Sequence, residues 1–197
     1  MARHVQKGFT QFYFTDNTFN LPPSYAGELC RKLISSGLRV SWRCIVYPVK
    51  LSDTLVRDMA KSGCKEVSLG CESGSEHMLC SMNKRFKPDD VRWTCALLKD
   101  FGIRRMGFLL LGGPGETKES VEESLSFAES VDLDMLKISI GIRIYPYTRL
   151  AKIAVEEGII PPEDSLLSPK FYIEKGLESW LRSRVQDLLA KKPTWFL

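Results

Sequence analysis

The 197-residue chain is poor in histidine, with only His4 and His77, and none of its six cysteines lies within four positions of another. Two histidines leave little material for a histidine-rich metal site or a Ser-His hydrolase. Zinc ribbons and iron–sulfur loops bring cysteines close along the chain, as in CxxC, and no such spacing occurs in this sequence. We therefore expect free, mostly buried cysteines.

Long apolar runs are also absent: no stretch reaches the roughly 18 residues that a membrane span requires. Residues 1–8 are polar and basic, without the apolar stretch of a signal peptide. The formal net charge is only +4, a small excess for a nucleic-acid-binding protein. These absences predict a cytoplasmic protein without membrane or nucleic-acid partners.

What the sequence does contain is a repeating unit of strand, helix and helix-ending glycine. Segments rich in β-branched and aromatic residues begin roughly every 30 residues, the spacing of βαβ units. Helix signals follow them, such as the pair Pro22-Pro23 and the capping residues Ser52, Thr117 and Thr148. This rhythm predicts a parallel α/β sheet. The predicted strands cover residues 9–15, 39–45, 66–71, 105–111 and 136–144.

Side-chain alternation along these strands distinguishes a barrel from an open, doubly wound sheet. Within residues 137–145, four isoleucines alternate with Ser139, Gly141, Arg143 and Tyr145, so one face is aliphatic and the other polar. A doubly wound sheet is buried on both faces and disfavours a polar one. We therefore predict an α/β fold of the partial, TIM-like (β/α) barrel kind, with Arg143 facing a polar lumen.

The rhythm stops near residue 160. Pro161, Pro162 and Pro169 mark a linker, and a stripe of apolar residues at helical spacing follows it. We predict a barrel over residues 1–160 and an extension over residues 161–197. The extension's amphipathic helix packs on the barrel or, alternatively, docks another domain. The apolar stripe consists of Leu177, Trp180, Leu181, Leu188 and Leu189.

Candidate site residues lie where strands end, because parallel α/β folds bind ligands at the carboxyl ends of their strands. Arg143 stands in an aliphatic strand, where a guanidinium needs an anionic partner. The string GGPGET does not have the spacing of a phosphate loop, and its glycines instead let the backbone approach a flat ligand. The strand-end candidates are Asp16, Asn17, Arg43, Glu72, Ser73, residues 112–116, Arg143 and Tyr145.

The strings FTDNTFN, LGCESGS, MNK, LLLGGPGET and IRIYPYTRLA, in this order and spacing, closely resemble radical S-adenosylmethionine (radical SAM) enzymes. They are most similar to the class that a cobalamin-binding domain usually precedes, and the likeness covers about residues 5–160. It implies a six-stranded partial barrel, of which this chain holds strands two to six. The parent enzyme binds a 4Fe–4S cluster and S-adenosylmethionine, which it cleaves to a 5′-deoxyadenosyl radical.

The resemblance also implies where the cofactors are held. The family's CxxxCxxC loop is absent from this sequence and is expected upstream, as is a domain for cobalamin, so cluster and cobalamin belong to the full-length parent. No metal ligand or catalytic residue is assigned to this chain. The contacts implied for S-adenosylmethionine are Phe14, Asp16 and Asn17 (methionine amino group), Glu72 and Ser73 (ribose), Leu111, Gly112 and Gly113 (adenine), and Arg143 and Tyr145 (cofactor and substrate).

The expected function is that of a radical SAM enzyme barrel acting on a small molecule that the sequence does not identify. Whether this chain alone is an enzyme stays open, since the cluster motif is not in it. One alternative is a degenerate relative that serves as a binding or assembly module without redox chemistry. Another is an unrelated TIM-type aldolase or phosphate-sugar enzyme. An aldolase needs a lysine within a strand, and Lys137, at the beginning of its strand, is a poor candidate.

The strand predicted at residues 9–15, FTQFYFT, has no charged residue and high β-propensity. A strand of this kind at the edge of a sheet offers unpaired backbone groups to another chain. We therefore predict that the protein self-associates through this edge.

Overall fold

The computed structural model describes residues 1–49 and 51–197. Its main element is a six-stranded parallel sheet in the order β1-β2-β3-β4-β5-β8. These strands are β1 (Gln11–Tyr13), β2 (Ser41–Val46), β3 (Cys64–Glu72), β4 (Arg104–Leu111), β5 (Met135–Ile140) and β8 (Trp195–Phe196). A second sheet pairs β6 (Ile142–Arg143) with β7 (Phe171–Tyr172) in antiparallel fashion. The predicted parallel α/β fold is thus confirmed.

Eight helices accompany the strands within the described ranges. They are α1 (Ala2–Val5), α2 (Pro23–Ser35), α3 (Asp53–Lys61), α4 (Glu76–Ser81), α5 (Pro88–Asp100), α6 (Lys118–Ser130), α7 (Arg149–Glu156) and α8 (Glu178–Leu189). Three predicted caps are confirmed, because the hydroxyls of Ser52, Thr117 and Thr148 accept from backbone N–H groups in the first turns of α3, α6 and α7. None of the helices described is long and apolar enough to cross a membrane.

The two faces of the sheet differ as the alternation of β3 predicts. Val67, Leu69 and Cys71 are at most 1% exposed and pack with residues of α3, α5 and α6 in the main core. Glu66 and Ser68 point to the opposite side, which we call the inner face. That face is less polar than predicted, because β4 contributes three half-buried apolar side chains to it: Met106, Phe108 and Leu110.

The prediction of one continuous strand over residues 136–144 is wrong. β5 ends at Ile140, and Gly141 follows with a φ of +86°, a conformation that only glycine adopts without strain. The chain then leaves the main sheet and pairs with β7. The alternation of isoleucines therefore does not carry through, and Ile144 is buried in a second, smaller core instead of under the helices of the main sheet.

The C-terminal segment belongs to the main core. Leu177, Leu181, Val185 and Leu188 are buried there, which places α8 against the sheet. β8 then pairs with β5 through the register Leu136↔Trp195. Packing therefore gives no break at residue 160, and the predicted division into a barrel and an extension stays a prediction.

Candidate functional site

A cavity of about 560 Å³ opens at the carboxyl edge of the sheet, and we call it the edge cavity. Apolar side chains from α4, β4, β6 and α7 form most of its wall, while three basic side chains stand among them. A ligand with a flat apolar part and a negative group suits such a lining. The apolar residues are Met78, Met82, Leu110, Pro114, Ile142, Leu150 and Ile153, and the basic residues are His77, Lys84 and Arg149.

Glu72 ends β3 in a bent conformation. Its φ is +61°, and the ladder between β3 and β4 shifts register between Gly70 and Glu72. Gly70 makes room for the bend, because a Cβ atom there would stand 2.8 Å from Glu72 Oε1. The same oxygen accepts from Lys84 Nζ at 2.7 Å. The bend thus joins the carboxylate to a cation that lines the edge cavity, and left-handed residues of this kind cluster at functional sites.

Residues 112–116 form a turn that we call the glycine loop. Its first two amides, from Gly112 and Gly113, donate to Glu116 Oε2. Glu116 is buried, and its Oε1 has no hydrogen-bond partner among the residues that the structure describes. Burial raises the pKa of this carboxyl above its ordinary value, and the two amide hydrogen bonds offset part of that rise. The buried Glu116 side chain therefore stabilises the turn by accepting hydrogen bonds from two of the loop's own amides.

Gly113 brings the loop backbone against the edge cavity. A Cβ atom at this position would stand 2.9 Å from Ile142 Cδ1 and 3.4 Å from Met78 Cε, two atoms of residues in the cavity wall. A side chain would therefore collide with the wall of the cavity and displace it. The glycine allows the close backbone approach that the sequence predicts for this loop.

Residues 171–174, which we call the clamp segment, fix the glycine loop from the outside. Glu174 N donates to Gly112 O at 2.9 Å, and Gly115 N donates to Glu174 Oε2. The hydroxyl of Tyr172 donates to Glu157 Oε2 at 3.0 Å and lies 3.3 Å from Glu174 Oε2. Burial and the Glu157 carboxylate raise the pKa of Tyr172, so the phenol stays protonated as the donor of this network.

Three of the predicted contact residues lie away from the edge cavity. Leu111 is fully buried on the helix side of β4. Ser73 is also fully buried, and its Oγ lies 2.8 Å from Ser124 Oγ, a link between β3 and α6. Phe14 packs its ring against Trp42 with centroids 5.2 Å apart. The structure gives each of them a packing role, and their contact with a ligand stays a prediction.

The other predicted residues divide into two groups. Glu72 and Gly113 contact the lining of the edge cavity, as described above. Gly112 instead packs toward Ile173 and Leu181, and its contact with a ligand stays a prediction. Arg143 and Tyr145 are exposed, and the guanidinium of Arg143 stands 4.9 Å from the Tyr145 ring. Because Gly141 breaks the strand, Ile142 and not Arg143 lines the cavity. The remaining two candidates, Asp16 and Asn17, are exposed.

Several residues of the site escaped the sequence prediction. Lys84 belongs to the string MNK, so the resemblance contained a signal that could have found it. Met78 lies on α4, a helix of six residues that is too short to show a periodic pattern. The clamp segment follows an irregular stretch of chain. Apolar periodicity therefore does not predict that this segment contacts the glycine loop.

The cysteines do not fit an iron–sulfur cluster. All six are free and five are buried, as expected from the sequence. Burial raises the pKa of Cys30 to about 11 and that of Cys95 to about 12, whereas cluster ligands are thiolates. No group of three or more His, Cys, Asp or Glu side chains in residues 1–49 and 51–197 could hold a metal ion. We therefore assign no step through a cluster to these residues.

Fold and site together define a parallel α/β protein with a cavity at the carboxyl ends of its strands, lined in part by the glycine loop and by Lys84, the ion-pair partner of Glu72. The family model described as the Radical SAM superfamily matches residues 1–128. The chain belongs to the Radical SAM superfamily. This membership rules out the alternative of an unrelated aldolase or phosphate-sugar enzyme.

Several curated relatives are methyltransferases. The chain is 29% identical to an uncharacterized methyltransferase of Pyrococcus horikoshii, over 80% of this chain and 34% of that protein. It is 26% identical to cytidylyl-2-hydroxyethylphosphonate methyltransferase of Streptomyces wedmorensis, over 93% of this chain and 36% of that protein. The chain therefore spans about a third of the length of these relatives.

Solved structures share the fold. The radical S-adenosylmethionine methyltransferase TsrM from Kitasatospora setae, solved with cobalamin and a 4Fe–4S cluster bound, superposes with a TM-score of 0.72 at 22% identity, over 79% of this chain and 30% of that chain. OxsB, described as a cobalamin-dependent S-adenosylmethionine radical enzyme, gives a TM-score of 0.67 at 12% identity, over 92% of this chain and 34% of that chain. The predicted partial-barrel fold is confirmed, and both of these neighbours are proteins whose descriptions name cobalamin.

Proposed function

We propose that the chain is the barrel of a methyltransferase-type radical SAM enzyme and that its edge cavity binds S-adenosylmethionine. The observation that carries this proposal is the convergence of the glycine loop and the Glu72–Lys84 pair on one cavity at the strand ends. Its volume of about 560 Å³ falls within the usual range for ligand pockets. The residues present therefore fit the cofactor.

The apolar wall suits the adenine ring. Leu110 and Ile142 offer aliphatic surface, and Gly113 leaves the backbone open beside them. A flat ring packed against these aliphatic side chains is shielded from water on that face, which stabilises it by the hydrophobic effect. The amides of Gly112, Gly113 and Gly115 are already engaged with carboxylates, so the loop offers carbonyl oxygens as the polar groups that fix a base in one orientation.

The polar groups suit the rest of the cofactor. We assign the Glu72 carboxylate to the ribose hydroxyls, because an ionised carboxylate is an acceptor for two O–H donors. Lys84 and Arg149 offer cations to the methionine carboxylate. When bound, S-adenosylmethionine supplies the reactive sulfonium on which the family's chemistry depends. The residues of this chain bind and orient the cofactor.

We further propose that the radical-generating cluster and cobalamin are held by other parts of a longer protein. The cysteines described here do not fit a cluster, and the curated relatives are more than twice as long as this chain. A cytoplasmic location agrees with the free cysteines, because reduced thiols persist in reducing compartments.

The proposal is tested by calorimetric titration of the full chain with S-adenosylhomocysteine and with S-adenosylmethionine. We expect weak binding, since no cluster anchors the amino acid end. Glu72→Gln should weaken it by about 1–3 kcal/mol through loss of a charge-assisted hydrogen bond. Glu119→Gln, an exposed position in the first turn of α6, is the matched control and should change nothing. Equal affinities in all three proteins, or no binding at all, would count against the edge cavity as the site.

A further inference from the structure

A second cavity, of about 440 Å³, opens on the inner face toward the amino ends of the strands, and we call it the amino-end cavity. Four of its lining side chains form one row, because Tyr13, Arg43, Glu66 and Arg104 pair in register across β1, β2, β3 and β4. Neighbouring strands lie ~4.8 Å apart, so adjacent members of the row are within reach of each other.

The row contains one carboxylate and two guanidinium groups. Glu66 is buried, and Arg104 Nη2 stands 3.0 Å from its Oε2. A buried carboxylate needs a cation, and Arg104 already satisfies that need. Arg43 Nη1 lies 3.9 Å from Glu66 Oε1, beyond hydrogen-bond distance, and its guanidinium stands 4.9 Å from the Tyr13 ring. Arg43 is therefore placed by stacking and is not required to neutralise Glu66.

Both guanidinium groups keep donors for a ligand. The side chains of Arg43 and Arg104 are 61% and 63% exposed, and neither forms another ion pair within the described part of the chain. Lys65 adds a third cation to the lining, and Gln11 and Ser41 add neutral donors. Three cations thus stand around a single carboxylate, which leaves the cavity strongly positive.

We propose that this row binds the phosphoryl group of a small-molecule ligand. A phosphoryl group carries about −1.5 to −2 charge at neutral pH, which matches the uncompensated cations better than a single carboxylate does. Arginine forks also match phosphate oxygens in geometry. That the ligand is the substrate rests on the proposed function of the edge cavity.

The inner face of β4 connects the two cavities and suggests the shape of this ligand. Arg104 lines the amino-end cavity and Leu110 lines the edge cavity. Six residues of strand separate them by roughly 20 Å. Met106 and Phe108 are half-buried on the same face and supply an apolar surface between the two cavities. The fitting class is an elongated compound with a phosphoryl end and an apolar body.

The test is calorimetric titration of the full chain with inorganic pyrophosphate, with citrate as the carboxylate probe. Arg43→Gln and Arg104→Gln should each weaken pyrophosphate binding about tenfold or more. Arg182→Gln removes the same charge from an exposed pair with Glu178 on α8 and should leave the affinity unchanged. Circular dichroism checks that each variant keeps its fold. Because both arginines are largely exposed, the two substitutions test the proposal independently if one of the variants does not fold.

Absence of pyrophosphate binding, an equal loss in all three variants, or equal binding of citrate would overturn the assignment. Binding of a single-stranded RNA at this row without binding of pyrophosphate would overturn it as well. Failure of this proposal is distinguishable from failure of the edge cavity. The two arginine variants should keep the affinity for S-adenosylhomocysteine, and Glu72→Gln should keep that for pyrophosphate.

Discussion

Strands β1–β5 and the segment from Gly141 to the clamp segment bury their apolar residues in different ways. The strands share one main core with α2, α3, α5, α6 and α8. The later segment builds a separate small core from Ile144, Ala154, Ile160, Leu166 and Tyr172. The edge cavity lies between them, with Leu110 from the first region and Ile142 and Leu150 from the second. One wall of the site is thus supported by far fewer buried contacts, and such regions open more readily.

The largest expected effect comes from matched substitutions in the two cores. Ile138 is fully buried in the main core, and Ile144 is 1% exposed in the small one. We expect Ile138→Ala to lower the free energy of unfolding by about 4 kcal/mol and Ile144→Ala by about 2 kcal/mol, since a smaller core relaxes more easily around a cavity. Urea unfolding of both variants measures this difference. A larger loss at Ile144 would show that the small core is the more rigid of the two.

The junction between the regions is tested at Gly141. Its φ of +86° strains any side chain, and a Cβ atom would stand 3.0 Å from Ile173 Cγ1. Gly158→Ala is the control, because that glycine has a φ of +71° but nothing within 4 Å. We expect Gly158→Ala to cost about 1 kcal/mol, and Gly141→Ala more, because the clamp segment must also shift. Equal thermal stabilities of the two variants would show that the junction is not packed as described.

The glycine loop should respond to pH through Glu116. Its pKa in the folded protein lies above the ordinary value of 4.5, so the folded state binds the proton more tightly than the unfolded state. The stability from this group is present below pH 4.5 and is lost as the pH rises through the raised pKa. Glu116→Gln should therefore flatten the decline of stability with rising pH. Glu123→Gln, at an exposed position on α6, is the control and should leave that decline unchanged. A pH dependence that is the same in wild type and in both variants would contradict the raised pKa of the buried carboxyl.

The smallest expected effect concerns the open edge of the main sheet. Among the strands that the structure describes, β1 pairs only with β2, and Phe9 before it is 59% exposed. We expect weak, concentration-dependent dimers through this edge in sedimentation experiments, and Phe9→Lys should shift them toward monomer because edge charges block strand pairing. Leu167→Lys, at a residue 88% exposed in the other region, is the control. A monomeric wild-type protein at high concentration would refute the self-association.

The sequence predicts the first region well because periodic burial determines it. Helix caps such as Thr117 and alternation such as that of Leu69 are local features, and a single sequence contains them. The second region depends on contacts between distant residues. The break at Gly141 depends on packing against Ile173. In the first region, the bend of Glu72 at the end of β3 likewise depends on a contact outside its strand, with Lys84. The alternation of Ile142 and Arg143 is the same in a strand that continues and in one that turns away, so their orientation could not be read from it.

Hydrogen exchange of the full chain with and without S-adenosylhomocysteine tests the central claim most directly, because amides beside a bound ligand open less often. If the edge cavity binds the cofactor, protection should increase in the glycine loop and at Ile142. Exchange at Arg43 and Glu66 in the amino-end cavity should stay unchanged. Measurable binding with protection at the amino-end cavity, or with no change in the glycine loop, would contradict the account.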